Sequence, residues 1–353
     1  MSKSILSSVF VNTQNSYKFY WWLAIIEICF YQEKKEVYFD EIVLKIISKL
    51  WYPVNYYKLS FGKVDQCSNY VNLIKKKYRL EDNISEKDLY KFLISNKESE
   101  LLIGITNELT RYVPFRFIRP WVSKETRGIK DSLVNLKILE LNNEASPYSI
   151  ELEQQKIIIN SDWFSWINEN FMLIKAHSCF ELIKFLENKN PNVANISKKI
   201  KKPSVRNLNK ATKNWKIFIS KTNSVDVFQN KPLINLDEFS LDHFIPWSFT
   251  THDLIWNLHP IERNVNSSKS NCLPSKDYLE PFSSLQYDFC QFHLSINSNK
   301  VLEDYYALLT CSKDDLSSIS KEKFSNELRQ HFLPQYEIAK NMGFESDWIL
   351  NQF

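Results

Sequence analysis

Residues 236–274 read Leu236-Asp-Glu-Phe239-Ser-Leu-Asp242-His243-Phe-Ile-Pro246-Trp-Ser-Phe-Thr-Thr-His252-Asp-Leu-Ile-Trp-Asn257-Leu-His259-Pro-Ile261-Glu-Arg-Asn-Val-Asn266-Ser-Ser-Lys269-Ser270-Asn-Cys272-Leu-Pro274. Phe239 to Ile245 alternates as a strand does and ends at Pro246, Asn257 to Ile261 predicts a second short strand, and Asn266 then opens a helical turn. Adjacent residues on a strand point to opposite faces. Asp242 and His243 can therefore share a partner only where the strand bends or ends, which the following proline makes easy.

The chemistry of this stretch is that of a phosphodiester hydrolase. The carboxylate of Asp242 and the carboxamide oxygen of Asn266 are hard ligands suited to a Mg²⁺ that keeps several waters. His243, a side chain whose ordinary pKa is about 6.5, is the natural base for an attacking water. Lys269, one turn after Asn266, would point a cation at a phosphate near the helix N-terminus. Blander readings exist for each residue. A lone Asp-His pair means little, and Asn266 alone could be a plain helix cap, but a cap accounts for neither Asp242-His243 nor Asn257. His252 and His259 read as loop or packing residues, and Cys272 as a small buried one.

Asp242-His243, then Asn257, then Asn266-x-x-Lys269-Ser270-x-x-x-Pro274 resembles the HNH endonuclease signature of the ββα-metal, or His-Me finger, fold over about 40 residues. The spacings, 14 residues from His243 to Asn257 and 9 from Asn257 to Asn266, are particularly similar to the HNH domain of RNA-guided CRISPR effector nucleases. The resemblance implies that Asp242 and Asn266 hold one divalent ion, that His243 activates water, that Asn257 bridges the strands to orient the histidine loop, and that Lys269 lies beside the phosphate. The metal would stabilise charge on the phosphorus and the leaving oxygen. The family's last position is often histidine; Asn266 in that place implies modest metal affinity and Mg²⁺ or Mn²⁺ over a softer ion. Zinc-binding cysteine pairs, common around such motifs, are absent, so flanking helices are expected to brace the finger.

Outward from the motif, residues 188–225 contain no acid, while Lys189, Lys198, Lys199, Lys201, Lys202, Arg206, Lys210, Lys213, Lys216 and Lys221 supply ten positive charges. With Pro191 and Pro203 the stretch reads as a basic linker or arm; Lys198, Lys199, Lys201, Lys202 and Arg206, with Lys269, are its candidate phosphate contacts and Trp215 its candidate stacking residue. Residues 1–187 look helix-dominated, with apolar spacing of three and four near 17–32, 39–51, 68–78 and 86–96, the last capped by Ser85. Strands are expected at Val113 to Ile118 and Leu136 to Leu141. A hairpin follows, Tyr148 to Leu152 and Lys156 to Ile159 about Glu153-Gln154-Gln155, and Ser161 or Asp162 caps a long helix towards Glu187. Beyond the motif the helical pattern returns at Val301 to Cys311, at Lys321 to Phe332 and in a short helix after Pro334 that Gly343 ends.

Composition narrows the alternatives. Only four glycines occur, all isolated, so neither a Walker A loop nor a G-x-G-x-x-G turn can be built, and kinase, GTPase and simple dehydrogenase readings fall away. Six scattered cysteines without a C-x-x-C pair argue against a zinc knuckle or a disulfide framework and fit a reducing cytoplasm. The most apolar stretch, Phe19 to Tyr31, is interrupted by Glu27 and is too short to cross a bilayer, and it makes a poor signal peptide. The net charge, 45 basic minus 41 acidic residues, is too small to name a partner. Arg111, Arg116 and Arg119 interleave with aromatics between Arg111 and Trp121, a composition that stacks on bases, although an edge strand bounded by prolines is the simpler reading. The Tyr17 to Trp22 cluster reads as helix core.

The expected architecture is α+β: a helix-rich recognition or partner-binding domain with a small sheet over 1–187, a basic arm over 188–225, and an HNH nuclease domain over 226–353, core 236–280, with C-terminal helices. The expected protein is a cytoplasmic, metal-dependent DNA endonuclease, with RNA left open, in a setting of prokaryotic restriction or anti-phage defence. The competing expectation is a nucleic-acid-binding subunit whose nuclease is silent until a partner engages residues 1–187.

Overall fold

The computed structural model describes residues 2–11, 13–141, 143–203, 206–233 and 239–350; Leu236 to Glu238, at the head of the stretch quoted above, lie outside them. The chain is α+β and divides into two compact units, Met1–Pro191 with Ile196–Lys202, and Asn192–Asn195 with Pro203–Phe353.

In the N-terminal unit, helix α1 (Tyr17–Gln32) is apolar all round and buries every residue from Phe19 to Cys29. A helix of that kind belongs at the centre of its domain. It packs against α2 (Phe39–Trp51), and α3 (Cys67–Tyr78), α4 (Glu86–Ser95) and α5 (Glu100–Thr110) surround α2. Ser85 caps α4 by accepting from the Asp88 amide at 3.0 Å. Glu27 is the one acidic residue of α1, and it is buried. Lys49 lies 2.6 Å and Lys175 2.9 Å from it; burial pushes its carboxyl up, yet the lysines outweigh that and hold it at about 2.

Two expected strands are helices instead. Val113–Ile118 is α6, with Pro114 in the first turn, where its missing N–H costs no hydrogen bond. Val113, Phe115 and Phe117 alternate as a strand would, but Phe117 stacks on Trp22 of α1 at 5.2 Å, and this packing settles the local choice. Leu136 to Leu141 is the second half of α7 (Asp131–Leu141). The three-stranded antiparallel sheet has the order β1 (Glu36–Tyr38), β3 (Lys156–Ile159), β2 (Tyr148–Glu151), and Gln155 closes the β2–β3 hairpin at φ 52°. The long helix α8 (Ser161–Lys189) packs on α1; its cap position is Asn160 rather than Ser161 or Asp162, and the Asn160 amide donates to the Ser146 carbonyl at 2.6 Å instead of capping.

In the C-terminal unit the basic stretch does not continue as an open arm. Asn209–Ile219 forms α9, whose Trp215 is fully buried with its ring 4.1 Å from that of Phe289, so it is a core residue and not a stacking platform. Strands β4 (Phe239–His243) and β5 (Leu258–Glu262) pair antiparallel, Asp242 opposite His259 and His243 opposite Leu258, and α10 (Arg263–Lys269) follows without a loop. This is a ββα finger. Around it pack α11 (Leu279–Ser295), α12 (Asn299–Leu309) and α13 (Lys321–Asn341). Helix α13 runs unbroken through Pro334, because Phe332, Tyr336 and Ala339 on both sides of the proline are buried and outweigh the lost hydrogen bond; Gly343 ends it at φ 91°.

Candidate active site

Two periodicities build the site. Ser240 and Asp242 lie two apart on β4 and so share a face, and Asn266 and Lys269 lie three apart on α10 and share a face. The two faces meet: the Asn266 amide nitrogen donates to Ser240 Oγ at 2.9 Å, and Lys269 Nζ lies 2.8 Å from Asp242 Oδ2. The Lys269 ammonium also donates to the His243 carbonyl at 2.9 Å and is fully buried. Here the structure corrects two expectations. Asn266 is the fourth residue of its helix, after an N-cap at Glu262, and Lys269 is the last helical residue, at the end opposite to the one expected. A buried ammonium with a carboxylate and a carbonyl as partners is a brace, not a surface contact for phosphate.

His243 faces another way. Its Nε2 is 2.9 Å from Asp253 Oδ1, a residue that sequence reasoning passed over because the segment from His252 to Leu254 has no periodicity. An acid ten residues after the histidine, in a polar turn between two strands, was the available signal. Burial would raise the Asp253 carboxyl, but the hydrogen bond and charge of His243, with Arg206 beside it, hold it below the usual carboxylate range. Arg206 Nη1 lies 3.9 Å from the same oxygen, and its guanidinium lies 5.0 Å over the Trp247 ring.

Asn257 fixes the chain just beyond His243. It is fully buried; its Nδ2 donates to the Ile245 carbonyl and its Oδ1 accepts from the Ile245 amide, both at 2.9 Å, while its own carbonyl accepts from the Phe244 amide. His259 is buried beside Phe228, Phe244 and Phe282, with Nε2 4.0 Å from Asp242 Oδ2; burial, with Lys269 nearby, pushes its imidazole down to about 4. It is therefore a neutral packing residue at pH 7. His252 packs at a tilt against Trp256, the ring centres 5.2 Å apart. Cys272 is half-buried rather than buried, its thiol 3.4 Å from Glu345.

Of the candidate phosphate contacts in the basic stretch, Arg206 alone belongs to this unit. Lys198, Lys199, Lys201 and Lys202 belong to the N-terminal unit, where Lys199 is fully buried and burial, with Lys198 nearby, pushes its ammonium down to about 7, so it is no phosphate contact.

The donor set fits a hard divalent ion. Ser240 takes the Asn266 amide nitrogen, which turns that side chain's oxygen the other way, and Asp242 adds a carboxylate from the same strand face. Among the described residues no three His, Cys, Asp or Glu side chains converge, so an ion held here would have few protein donors and would keep most of its waters.

Residues 226–275 match the family model of the HNH endonucleases. This segment is thus an HNH endonuclease domain, the class of nuclease that acts on nucleic acid and is generally dependent on a divalent metal. No curated protein and no solved structure matches the chain. No helix among the described residues is long and apolar enough to cross a membrane.

Proposed function

We propose that the chain is a divalent-metal-dependent endonuclease that hydrolyses phosphodiester bonds in DNA, with His243 as general base and Asp253 as the residue that positions it. The observation that carries this reading is the 2.9 Å contact between His243 Nε2 and Asp253 Oδ1. An ionised carboxylate only accepts, so Nε2 carries the proton and the lone pair of the neutral ring lies at Nδ1. A water held against Nδ1 gives up its proton as its oxygen bonds to phosphorus, the bond from phosphorus to the leaving sugar oxygen breaks and that oxygen takes a proton from solvent, and Asp253 stabilises the resulting imidazolium. Asn257 keeps the backbone after His243 from shifting, and Lys269 ties the His243 carbonyl to the Asp242 carboxylate. Asp242 and Asn266 would hold Mg²⁺ or Mn²⁺, which when bound supplies a Lewis acid for the charge that develops on the phosphate oxygens.

Exposed Lys198, Lys201 and Lys202 in one unit, and Arg206, Lys210 and Lys213 in the other, are the cations we assign to the phosphate backbone. The resemblance to defence nucleases supports a role in prokaryotic restriction or anti-phage defence, in the cytoplasm.

The test is nicking of supercoiled plasmid by the wild-type chain and by His243→Ala, each with Mg²⁺, Mn²⁺ or EDTA. Cleavage that needs metal and disappears in His243→Ala is the expected result. DNA retarded in a gel without cleavage under any metal would replace this reading with that of a binding subunit activated by a partner.

A further inference from the structure

The arginines of the Arg111 to Trp121 segment have no part in the finger, and the helices place them around a cavity of about 480 Å³ in the N-terminal unit. Its walls include Tyr17, Lys18, Tyr70, Arg111, Tyr112 and Arg116, and an adjoining recess shares Lys18 and Arg116 and adds Arg119. That size lies within the range of about 300–1,000 Å³ typical of small-molecule sites.

The charge around it is unbalanced. Among the described residues, Lys18, Arg111, Arg116 and Arg119 face only Glu108 in the lining and Asp131 beyond it. Asp131 pairs with Arg116 and lies 3.8 Å from Arg119, and Glu108 is engaged by the Tyr70 hydroxyl. Lys18 meets no carboxylate among the described residues; its one close polar partner is the Val9 carbonyl at 3.4 Å. Arg111 has no carboxylate partner among them either and lies over the Tyr112 ring at 5.1 Å, with Arg116 5.9 Å from the same ring. Arginines at the ends of α5 and α6 could merely satisfy helix carbonyls. Lys18 cannot be read that way. It is the second residue of α1, at the positive end of the helix, and burial followed by Arg116 and Arg119 pushes its ammonium below the ordinary range. The lining also holds Asn15, whose Oδ1 is buried, has no hydrogen-bond partner among the described residues and could accept from a ligand.

We propose that this cavity binds a nucleoside phosphate, its base against the tyrosine rings and its phosphate on Lys18, Arg116 and Arg119, taken up either as a free nucleotide or as the terminal nucleotide of a strand. Planar guanidinium groups match phosphate geometry, and a base stacks on an exposed aromatic ring whatever its identity. The site does not rest on the chemistry of His243.

Isothermal titration of the full chain tests it, with the four nucleoside monophosphates and triphosphates, adenosine, inorganic phosphate, and 5′-phosphorylated and 5′-hydroxyl oligothymidylates as probes. Saturable binding of a nucleotide at one site per chain is expected, weakened about tenfold or more by Lys18→Met and by Arg119→Gln, each of which removes one charge-assisted hydrogen bond. Tyr112→Ala, on an exposed ring, keeps the fold and should weaken nucleotide but not inorganic phosphate. Preference for the free nucleotides identifies the ligand as soluble; preference for the 5′-phosphorylated strand identifies a strand end. Both support the site. Binding of inorganic phosphate as tight as that of any nucleotide, no saturable binding by any probe, or variants that melt like wild type and bind unchanged would each overturn it.

Discussion

Replacing Asp253 by asparagine keeps the size of the side chain and removes the charge. In the wild type Nε2 donates to a carboxylate held ionised below its usual range, and Nδ1 keeps the lone pair. An asparagine amide can donate to Nε2 instead, which moves the ring proton to Nδ1 and turns the basic nitrogen away from the water. A hydrogen bond to a charged group contributes about 1.5–3 kcal/mol, and a tenfold change corresponds to about 1.4 kcal/mol, so loss of the pair alone slows the chemical step about 10- to 100-fold. Asp253→Glu should recover part of the rate. The assay is single-turnover nicking of supercoiled plasmid with enzyme in excess and Mg²⁺ present, with DNA affinity measured separately. The expected outcome is a slower rate at unchanged affinity and unchanged melting temperature. If Asp253→Asn cleaves within about threefold of wild type while His243→Ala is inactive, the carboxylate merely pairs with Arg206 and the positioning argument fails.

Asn257→Ala leaves the amide and carbonyl of Ile245 without partners inside the protein, at about 1–3 kcal/mol for each group, and should destabilise the C-terminal unit by about 2–6 kcal/mol in urea titration while slowing cleavage. Glu27 carries a pH signature of opposite origin. Its folded value of about 2 lies below the ordinary 4.5, so its stabilisation is full above pH 4.5 and is lost as pH falls towards 2; the shift corresponds to about 3 kcal/mol, and Glu27→Gln should flatten that acid limb in urea titrations between pH 7 and 3 while lowering stability at pH 7. Lys201→Ala and Lys202→Ala should each reduce the salt slope of DNA binding by about 0.9 for every phosphate contact removed, whereas Lys199→Ala, at a fully buried position, should leave the slope unchanged and lower the melting temperature.

The sequence was most legible where periodicity and burial agree. The helices at 17–32 and 39–51 and the hairpin about Gln155 carry patterns that the packing keeps. It misled where tertiary contacts outvote local pattern. Val113, Phe115 and Phe117 alternate, yet a six-residue helix under α1 buries all three. Pro334 reads as a break, yet buried residues on both sides hold α13 together. The lysines of the basic stretch look alike in sequence, yet Lys199 is fully buried while its neighbours face water, a distinction that charge counting does not contain.

The finger itself shows why its spacing can be read at all. Asp242 and Ser240 are brought together by the two-residue period of a strand, Asn266 and Lys269 by the turn of a helix, and the two pairs lock only if β4 and α10 keep this register. The intervals are thus a consequence of secondary structure, and a change of one residue between strand and helix would break both contacts at once. Asp253 and Arg206 reach the site from segments with no such period, so periodicity does not mark them. Lys269 adds a constraint of its own. Buried against Asp242 and the His243 carbonyl in a finger without paired cysteines, it ties strand to helix, and it keeps the Asp242 carboxylate from standing as an uncompensated charge in a largely apolar setting.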